Sequence, residues 1–374
     1  MILLSGPNLS GNELKYVTDC IETGWVSSVG SYVTNFEKMI SNHVGSKFAV
    51  ATSSGTTALH LSLIVSEITE DDYVIVPNVT FIATLNAVKY VKARPILIDI
   101  NPDTWQLDLD LVRDFLENKT ETINGNVFYN KKRIKAIMPV HVLGNMCDMN
   151  DLLSISKEYN IDIIEDAAES LGSYFQNKHS GTFGKIGCFS FNGNKIITCG
   201  GGGVIVTDDE NIALKAKHLS TQAKADSFEY FHDKIGFNYR LTNVSAAIGL
   251  AQLEQLELFI KKKHFIKDFY INNLKNIGDI KFQKVEENVD PNWWLFTISS
   301  KFQKKLLNSL NLKKMQSRPF WIPMNKLPMF ENETYITNKD VSAQVYSTSL
   351  SIPCSTNITE QELEQVVRCI KDQF

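Results

Sequence analysis

Long apolar runs are missing from this sequence, and so is an excess of charge of either sign. No stretch approaches the roughly 20 apolar residues that a membrane-spanning helix needs, and the opening segment MILLSGPNLSGNE lacks the basic, apolar and cleavage regions of a signal peptide. With 38 basic and 42 acidic residues the formal net charge is only −4. We therefore expect a cytoplasmic protein that binds neither a membrane nor nucleic acid.

Cysteine is present, but not with the spacing of a metal site. The six cysteines form no C-x-x-C pair, so we expect reduced thiols and no structural zinc. Internal repeats and low-complexity tracts are also missing. The apolar fraction of 43% over 374 residues is that of a globular protein, and the length suits a large domain with a smaller one attached.

Short β-rich segments alternate with helical patterns through the first two-thirds of the chain. This alternation predicts an α/β domain with a mostly parallel, seven-stranded sheet. One long helix is predicted over residues 242–274, followed by a small α+β domain. We place the two domains at residues 1–255 and 256–374. The predicted strands are FAVAT (48–52), YVIVP (73–77), PILID (95–99), IKAIMPV (134–140), DIIED (162–166), GCFSF (187–191) and GVIVT (203–207).

Two ionisable residues follow predicted strands in the most informative part of the chain. Asp166 ends the strand 162–166, which predicts that its carboxylate lies at the sheet edge where α/β proteins bind ligands. There it can hold a pyridine nitrogen protonated, as pyridoxal-5′-phosphate (PLP) chemistry requires, although an ordinary solvent-facing Asp fits the position too. Lys195 follows the strand 187–191 and precedes four glycines, 200–203. It is either a Schiff-base lysine in a dry or acidic pocket or a solvated surface charge.

Other candidate site residues also follow strands. The loop SSGTTALHL opens a helix after the first strand, so the backbone N–H groups of Thr56 and Thr57 can bind a phosphate, unless the loop only caps the helix. Phe81, after the second strand, can stack on a flat cofactor ring or pack in the core. His141, after the fourth, can serve the site or act as a hydrogen-bonded structural imidazole.

Several of these motifs occur together in one order, and the whole chain resembles the DegT/DnrJ/EryC1/StrS family of PLP-dependent sugar aminotransferases. The resemblance rests on the motifs LSGNELKYVTDCIETGWVSSVGSYVTNFE, SSGTTAL, PNVTFIAT, PVHVLGNMCDM, EDAAESLG, SFNGNK with its glycines, and GFNYRLTNVSAAIG. It implies the fold-type I aminotransferase architecture and a homodimer with shared active sites.

The resemblance also implies a role for each candidate residue. Lys195 falls on the Schiff-base lysine and Asp166 on the carboxylate that faces the pyridine nitrogen. Phe81 falls on the ring-stacking residue. The remaining residues implied to contact the cofactor are Thr56, Thr57, Glu169 and Ser190, together with Asn238 or Arg240 reaching the phosphate of the neighbouring subunit.

Three departures from the family pattern bear on the substrate. Glu169 stands where many relatives carry Gln, and Gly200 to Gly203 replace a G-E-G-G run. With FNGNKIIT and SRPFWIPMNKLPMF, these resemble the branch that aminates UDP-linked 4-keto-6-deoxy-N-acetylglucosamine, using L-glutamate, on routes to bacillosamine or legionaminic acid. Asn325 replaces a histidine expected in the last motif, which weakens the substrate assignment but not the cofactor assignment.

Three alternatives remain at this point. The keto sugar can be GDP- or dTDP-linked, or carry its ketone at C3. A PLP sugar dehydratase of the same fold is disfavoured, because that branch resembles this family with histidine in place of the lysine at 195. A non-catalytic sugar-nucleotide-binding protein is disfavoured because Lys195, Asp166 and the phosphate loop are all retained.

Overall fold

Strands and helices follow one another along the computed structural model, which describes residues 1–226 and 228–374. The strands are β1 Phe48–Thr52, β2 Asp72–Pro77, β3 Arg94–Ile98, β4 Glu121–Ile123, β5 Asn126–Tyr129, β6 Lys132–Ile137, β7 Asp162–Asp166, β8 Tyr174–Phe175, β9 Lys178–His179, β10 Ile186–Ser190, β11 Gly203–Thr207, β12 Lys224–Asp226, β13 Phe231–His232, β14 Lys281–Phe282, β15 Val289–Asp290, β16 Phe296–Ser299, β17 Arg318–Pro319, β18 Thr334–Ile336 and β19 Ser349–Ile352. The α-helices are α1 Glu13–Thr23, α2 Ser31–Val44, α3 Gly55–Val65, α4 Ala83–Tyr90, α5 Leu109–Lys119, α6 Met149–Tyr159, α7 Glu210–Ser220, α8 Asn243–Leu253, α9 Leu256–Leu274, α10 Gln303–Leu312, α11 Val341–Thr348 and α12 Glu360–Lys371, and short 3₁₀ helices span Val142–Gly144 and Met324–Lys326.

The large sheet contains all seven predicted strands and confirms the mostly parallel α/β fold, but within the described residues it has ten strands and not the predicted seven, because β4, β5 and β18 also join it. Its order is β1-β11-β10-β7-β6-β2-β3-β18. Off this path, β5 pairs with β6, and β4 pairs with β5. From β10 through β7, β6, β2 and β3 to β18, neighbouring strands on this path are parallel, whereas β11 runs antiparallel to both β1 and β10. The parallel strands are buried on both faces, which explains their nearly unbroken apolar sequences.

Helix starts along the chain carry their own local signals. Ser54, Asp148, Asp209, Thr242 and Thr359 are N-cap residues whose side chains accept backbone N–H groups of the first helical turn. Each cap satisfies a donor that the helix itself leaves unpaired. These starts therefore depend on local sequence rather than on distant contacts.

The prediction of one helix over residues 242–274 is wrong, because α8 and α9 are separated at Glu254 and Gln255. Gln255 has φ −108° and ψ 0°, and its N–H bonds to the carbonyl of Gln252 in a tighter turn. The Glu254 carboxylate accepts hydrogen bonds from Asn12 and Tyr16 at the start of the chain. Contacts with a distant segment thus accompany a break that the apolar periodicity does not show.

The C-terminal part forms a second sheet of four strands, in the order β14-β16-β19-β17. Its core packs α9, α10 and α12 against these strands through residues such as Tyr270, Leu306 and Val366. One C-terminal strand, Thr334–Ile336, instead joins the large sheet beside β3. The domain limits 1–255 and 256–374 remain a prediction. Among the described residues, no helix is both long and apolar enough to cross a membrane.

Candidate active site

A cavity of about 400 Å³ opens where the strands of the large sheet end and the C-terminal part begins. The ends of β1, β7 and β10 meet there, as parallel strands bring their carboxyl ends to one edge. It brings together Thr56, Phe81, Asp166, Glu169, Ser190 and Lys195, the predicted residues that line it. Other lining residues are Leu4, Ser54, Gly55, Thr84, Leu143, Asn194, Gly201, Gly202, Trp294, Arg318, Phe320 and Trp321.

The N-terminus of α3 forms one wall of this cavity. Ser54 Oγ accepts the Thr57 N–H at 3.1 Å, and Thr57 Oγ1 accepts the Ser54 N–H at 3.0 Å. The loop is therefore a capping box, and Thr57 is occupied with capping rather than facing the cavity. Thr56 lines the cavity. The helix dipole favours an anion at the N-terminus of α3.

Gly55 fits against Ser190 so closely that a side chain has no room. A Cβ at Gly55 would lie 2.7 Å from the Ser190 Cβ and 3.0 Å from its Oγ. The missing side chain lets the strand β10 approach the start of α3, so that a hydroxyl and the backbone N–H groups face one space. Such a cradle of hydrogen-bond donors at a helix N-terminus suits an anion such as a phosphate group.

Asp166 is buried at the end of β7 with both carboxylate oxygens in use. Thr84 Oγ1 donates to Oδ2 at 2.7 Å, and the Ala168 N–H donates to Oδ1 at 3.2 Å. Burial raises the pKa of Asp166, while these hydrogen bonds and the nearby Lys195 oppose the rise. Each oxygen keeps a free lone pair, so the carboxylate can accept an N–H⁺ from a ring nitrogen.

Lys195 lies between an acid and an aromatic ring. Its Nζ is 4.0 Å from Glu169 Oε1 and 3.9 Å from the centre of the Trp294 ring. Burial lowers the pKa of Lys195, and the negative charges of Glu169 and Asp166 oppose that effect. The side chain is 12% exposed, so it is not the solvated surface charge that the sequence also allowed.

Glu169 is held in place by an unusual backbone conformation. Leu143 has φ 62° and ψ 16°, a left-handed conformation that costs energy in a residue with a Cβ. In this conformation the Leu143 N–H donates to Glu169 Oε2 at 2.8 Å. Burial raises the pKa of Glu169 to about 7, with Lys195 acting against the rise.

Phe81 and His141 differ in their relation to the cavity. Phe81 lines it and is 55% exposed, so its ring is available to stack on a bound flat group. His141 is fully buried and its Nε2 lies 2.9 Å from Glu165 Oε2. Glu165 also accepts the N–H groups of Gly181, Phe183 and Gly184, which makes the His141–Glu165 pair a structural anchor.

Asn238 and Arg240 lie outside the cavity of their own chain. The backbone of Arg240 forms an isolated antiparallel β-bridge with Thr52 at the end of β1. The Ser53 N–H donates to the Tyr239 carbonyl. Arg240 Nε is buried without an acceptor among the residues that the structure describes. Asn325, which replaced an expected histidine, forms a reciprocal pair of hydrogen bonds with Asn78, each of 2.9 Å.

Sequence reasoning missed most of the residues that the C-terminal part contributes. Trp294 is 4% exposed, and its Nε1 donates to the Asn194 carbonyl at 2.7 Å. Arg318 and Trp321 line the same cavity. Both belong to the motif SRPFWIPMNKLPMF, which the sequence connects to the site only through the family resemblance. The adjacent tryptophans at 293 and 294 were the signal that could have indicated a site.

The cavity suits a flat, phosphorylated pyridine such as PLP. It offers a lysine amine, a buried carboxylate, an available aromatic ring and a phosphate cradle on one lining. Gly55 lets the Ser190 hydroxyl lie against the start of α3, where a Cβ at position 55 would be 3.0 Å from the Ser190 Oγ. The residues present therefore fit the cofactor that the sequence predicted.

Comparisons with known proteins agree with this reading of the cavity. The profile of the DegT/DnrJ/EryC1/StrS aminotransferase family matches residues 7–371. The GDP-perosamine synthase of Escherichia coli O157:H7 is 36% identical over 373 residues, which is 98% of this chain and 97% of that protein. EpsN of Bacillus subtilis (strain 168), assigned by name to the pyridoxal phosphate-dependent aminotransferases, is 35% identical over 100% of this chain and 96% of its own length.

A solved structure extends the comparison to the fold. The crystal structure of a DegT DnrJ EryC1 StrS aminotransferase from Brucella abortus superimposes with a TM-score of 0.89. The two chains are 25% identical, and the match covers 97% of this chain and 95% of the other.

Proposed function

Since the chain belongs to the DegT/DnrJ/EryC1/StrS aminotransferase family and is a PLP-dependent sugar aminotransferase, we propose that it moves the amino group of L-glutamate to the C4 ketone of a nucleotide-linked 4-keto-6-deoxy sugar. The observation that carries this proposal is the common lining of one cavity by Lys195, Asp166 and the start of α3.

PLP supplies, when bound, an electron sink that stabilises negative charge left on a carbon after proton removal. Lys195 provides the amine that attaches the cofactor. When it is released as a free base, its Nζ takes a proton from the substrate carbon and returns it elsewhere on the same face. Burial lowers the pKa of Lys195, which raises the fraction of free base available for this transfer.

The other residues hold the cofactor in place. Asp166 keeps the ring nitrogen protonated, because a buried carboxylate gains most from a cationic partner. Phe81 covers one face of the ring. Thr56 and Ser190 bind the phosphate at the N-terminus of α3, where the helix dipole favours negative charge.

Two observations bear on the nucleotide. The motifs FNGNKIIT and SRPFWIPMNKLPMF, with Glu169, favour a UDP-linked 2-acetamido-2,6-dideoxy-4-keto hexose. A GDP-linked 4-keto-6-deoxy sugar is the second candidate, because the E. coli relative is a GDP-perosamine synthase. Arg318 and Trp321 lie on the cavity lining, where a cation and an aromatic ring can contact the nucleotide.

Incubation of the purified protein with L-glutamate and a panel of UDP-, GDP- and dTDP-linked 4-keto-6-deoxy sugars tests the proposal. We expect a 4-amino sugar and one 2-oxoglutarate for each sugar converted, identified by mass spectrometry and NMR. Lys195→Ala is the matched control and should form neither product. No amination of any sugar by protein that binds PLP would contradict the proposal.

We further propose a homodimer in which Asn238 or Arg240 of each chain reaches the PLP phosphate of the other. Phe237 and Tyr239 stack on each other with ring centres 4.8 Å apart, and alternation along the backbone directs Asn238 and Arg240 to the opposite side. Exposed apolar residues near the start of the chain, including Ile21 and Trp25, provide a surface that a second copy can cover.

Mixing two inactive variants tests the shared sites. Lys195→Ala homodimers and Asn238→Ala/Arg240→Ala homodimers are each expected to be inactive or nearly so. After subunit exchange, each mixed dimer contains one site with an intact lysine and an intact phosphate contact, so activity returns. A mixture whose subunit exchange is verified by tagged pull-down, yet which stays as inactive as its parents, would refute the shared sites.

A further inference from the structure

A second buried lysine, Lys263, lies near the site without a part in the proposed chemistry. It is on α9, is 2% exposed, and burial lowers its pKa while Cys354 opposes this effect. Its Nζ donates to the carbonyls of Trp294 at 2.8 Å and Cys354 at 2.6 Å, and lies 3.6 Å from Cys354 Sγ. An ammonium has three N–H donors, and these three neutral acceptors use them all.

The acceptors belong to two separate segments of the cavity wall. Trp294 precedes β16, and Cys354 follows β19. The Cys354 N–H also bonds to the carbonyl of Leu4 at 2.8 Å, and Leu4 lines the cavity. Lys263 therefore joins α9 to the segment that carries the aromatic ring beside Lys195 and to the segment that follows β19.

Trp294 is held by hydrogen bonds at its backbone and at its indole nitrogen. Lys263 holds its carbonyl, Asn292 Oδ1 accepts its backbone N–H at 2.8 Å, and its Nε1 donates to the Asn194 carbonyl. The Asn292 side chain in turn donates to the carbonyl of Glu169. The bond from Lys263 comes from a long helix of the C-terminal part, and Cys354 Sγ also approaches the Trp294 carbonyl, at 3.8 Å.

We propose that Lys263 is a positioning residue that fixes the Trp294 indole beside the Lys195 amine. The inference rests on the proposed role of Lys195 as the lysine that binds PLP. An aromatic ring 3.9 Å from an ammonium stabilises the charged form of that lysine. Lys263 thus sets, through Trp294, how readily Lys195 becomes a free base.

The charged groups that face Lys195 are Asp166 and Glu169 on the β7 side, with Arg318 elsewhere on the cavity lining. They are left unchanged in the variants that follow. A shift in the behaviour of Lys195 then does not come from a change in these three groups. The variant Lys263→Arg keeps the buried charge at position 263 and so serves as the control for its loss.

The rate of PLP uptake by apoprotein, followed by visible absorbance as a function of pH, measures the free-base fraction of Lys195. If Lys263→Met loosens the indole, the ammonium loses support and the pH of half-maximal uptake falls by about 0.4 to 1.5 units. Lys263→Gln should give the same direction of shift, because its shorter amide cannot reach both carbonyls. It serves as a second variant where Lys263→Met does not fold. Lys263→Arg retains charge and N–H donors and should restore the wild-type midpoint.

A double-mutant cycle separates positioning from a general loss of stability. Trp294→Leu alone should lower the midpoint, and adding Lys263→Met to it should lower the midpoint no further. Tyr270→Phe is the matched control, because Tyr270 OH on the same helix holds the neighbouring Pro353 carbonyl at 2.6 Å, whereas the hydrogen bonds of Trp294 named above do not involve it. We expect it to lower thermal stability and leave the midpoint unchanged.

Either of two results overturns the inference. One is a folded Lys263→Met or Lys263→Gln protein with the wild-type midpoint. The other is an equal shift in the presence and absence of the Trp294 ring. The proposed function fails separately, since wild-type protein that develops no visible absorbance with PLP would remove the role of Lys195 before any variant is compared.

Discussion

Replacing Glu169 by glutamine removes one negative charge beside Lys195 and keeps the shape of the side chain. Glu169 Oε2 accepts the Leu143 N–H at 2.8 Å, while Oε1 lies 4.0 Å from Lys195 Nζ. A glutamine oxygen can keep the bond from Leu143, so the loop retains its conformation. The variant therefore removes the electrostatic support for the ammonium form of Lys195 and keeps a hydrogen-bonding side chain of the same size on the cavity lining.

Coulomb's law sets the size of this effect. Two unit charges 4.0 Å apart attract each other by about 4 kcal/mol at an effective dielectric constant of about 20, which corresponds to about three pKa units. Burial raises the pKa of Glu169 to about 7, so near neutral pH only part of this attraction operates. We expect Glu169→Gln to lower the pKa of Lys195 by about one to three units.

Uptake of PLP by apoprotein reports this pKa, because only the free-base amine attacks the PLP aldehyde. Stopped-flow absorbance gives the uptake rate at each pH, and PLP in solution titrates identically for both proteins. A lower pKa for Lys195 puts more free base at a given acidic or neutral pH. The half-maximal rate of the variant therefore moves to lower pH, and uptake at pH about 7 becomes faster than in the wild type.

Asp162→Asn is the matched control for loss of a carboxylate. Asp162 begins the same strand, β7, and pairs with Lys185 at the surface at 2.9 Å. Its removal should leave the uptake midpoint unchanged. A Glu169→Gln midpoint equal to or above that of the wild type would refute the electrostatic coupling between Glu169 and Lys195.

Three further predictions follow from other contacts of the site. Asp166→Asn should still bind PLP but lose most of its turnover, because a neutral amide does not hold the ring proton as a carboxylate does; activity close to wild type would mean that another group serves the ring nitrogen. Gly55→Ala should destabilise the protein by about 1 to 3 kcal/mol and weaken PLP binding, since its Cβ would lie 2.7 Å from the Ser190 Cβ. Urea unfolding measures the loss of stability, and a PLP titration measures the affinity. Unchanged affinity for PLP would argue against the phosphate cradle. Glu165→Gln should lower the free energy of unfolding in urea by about 3 kcal/mol, because hydrogen bonds from three backbone N–H groups and from His141 lose a charged acceptor. A loss below about 1 kcal/mol would contradict the role of Glu165 as an anchor.

Local sequence determined much of the fold. Mainly apolar segments of five to seven residues predicted the seven strands that the large sheet contains, because strands buried on both faces need mostly apolar side chains. Caps such as Ser54 and Thr242 marked helix starts, since a side-chain oxygen satisfies an unpaired N–H within the same few residues. The position of a residue at a strand end then predicted the cavity edge for Asp166, Ser190 and Lys195.

Other features depended on partners far away in the sequence. The break between α8 and α9 accompanies contacts with Asn12 and Tyr16, which no helical period can reveal. The left-handed residue that binds Glu169 is Leu143 itself, a residue type that does not predict this conformation. His141 was left open by the sequence because only its burial against Glu165 distinguishes a structural pair from a site residue.

The sequence by itself determined which residues stand at strand ends and that they resemble an aminotransferase site, because periodicity and short motifs are local properties. Tertiary structure alone decided what surrounds Lys195. Trp294 and Lys263 are distant from it in the chain, and they meet only when α9 and the C-terminal strands pack over the edge of the large sheet. The pKa of a buried amine depends on such neighbours, so the state of Lys195 is a property of the packing and not of the motif around it.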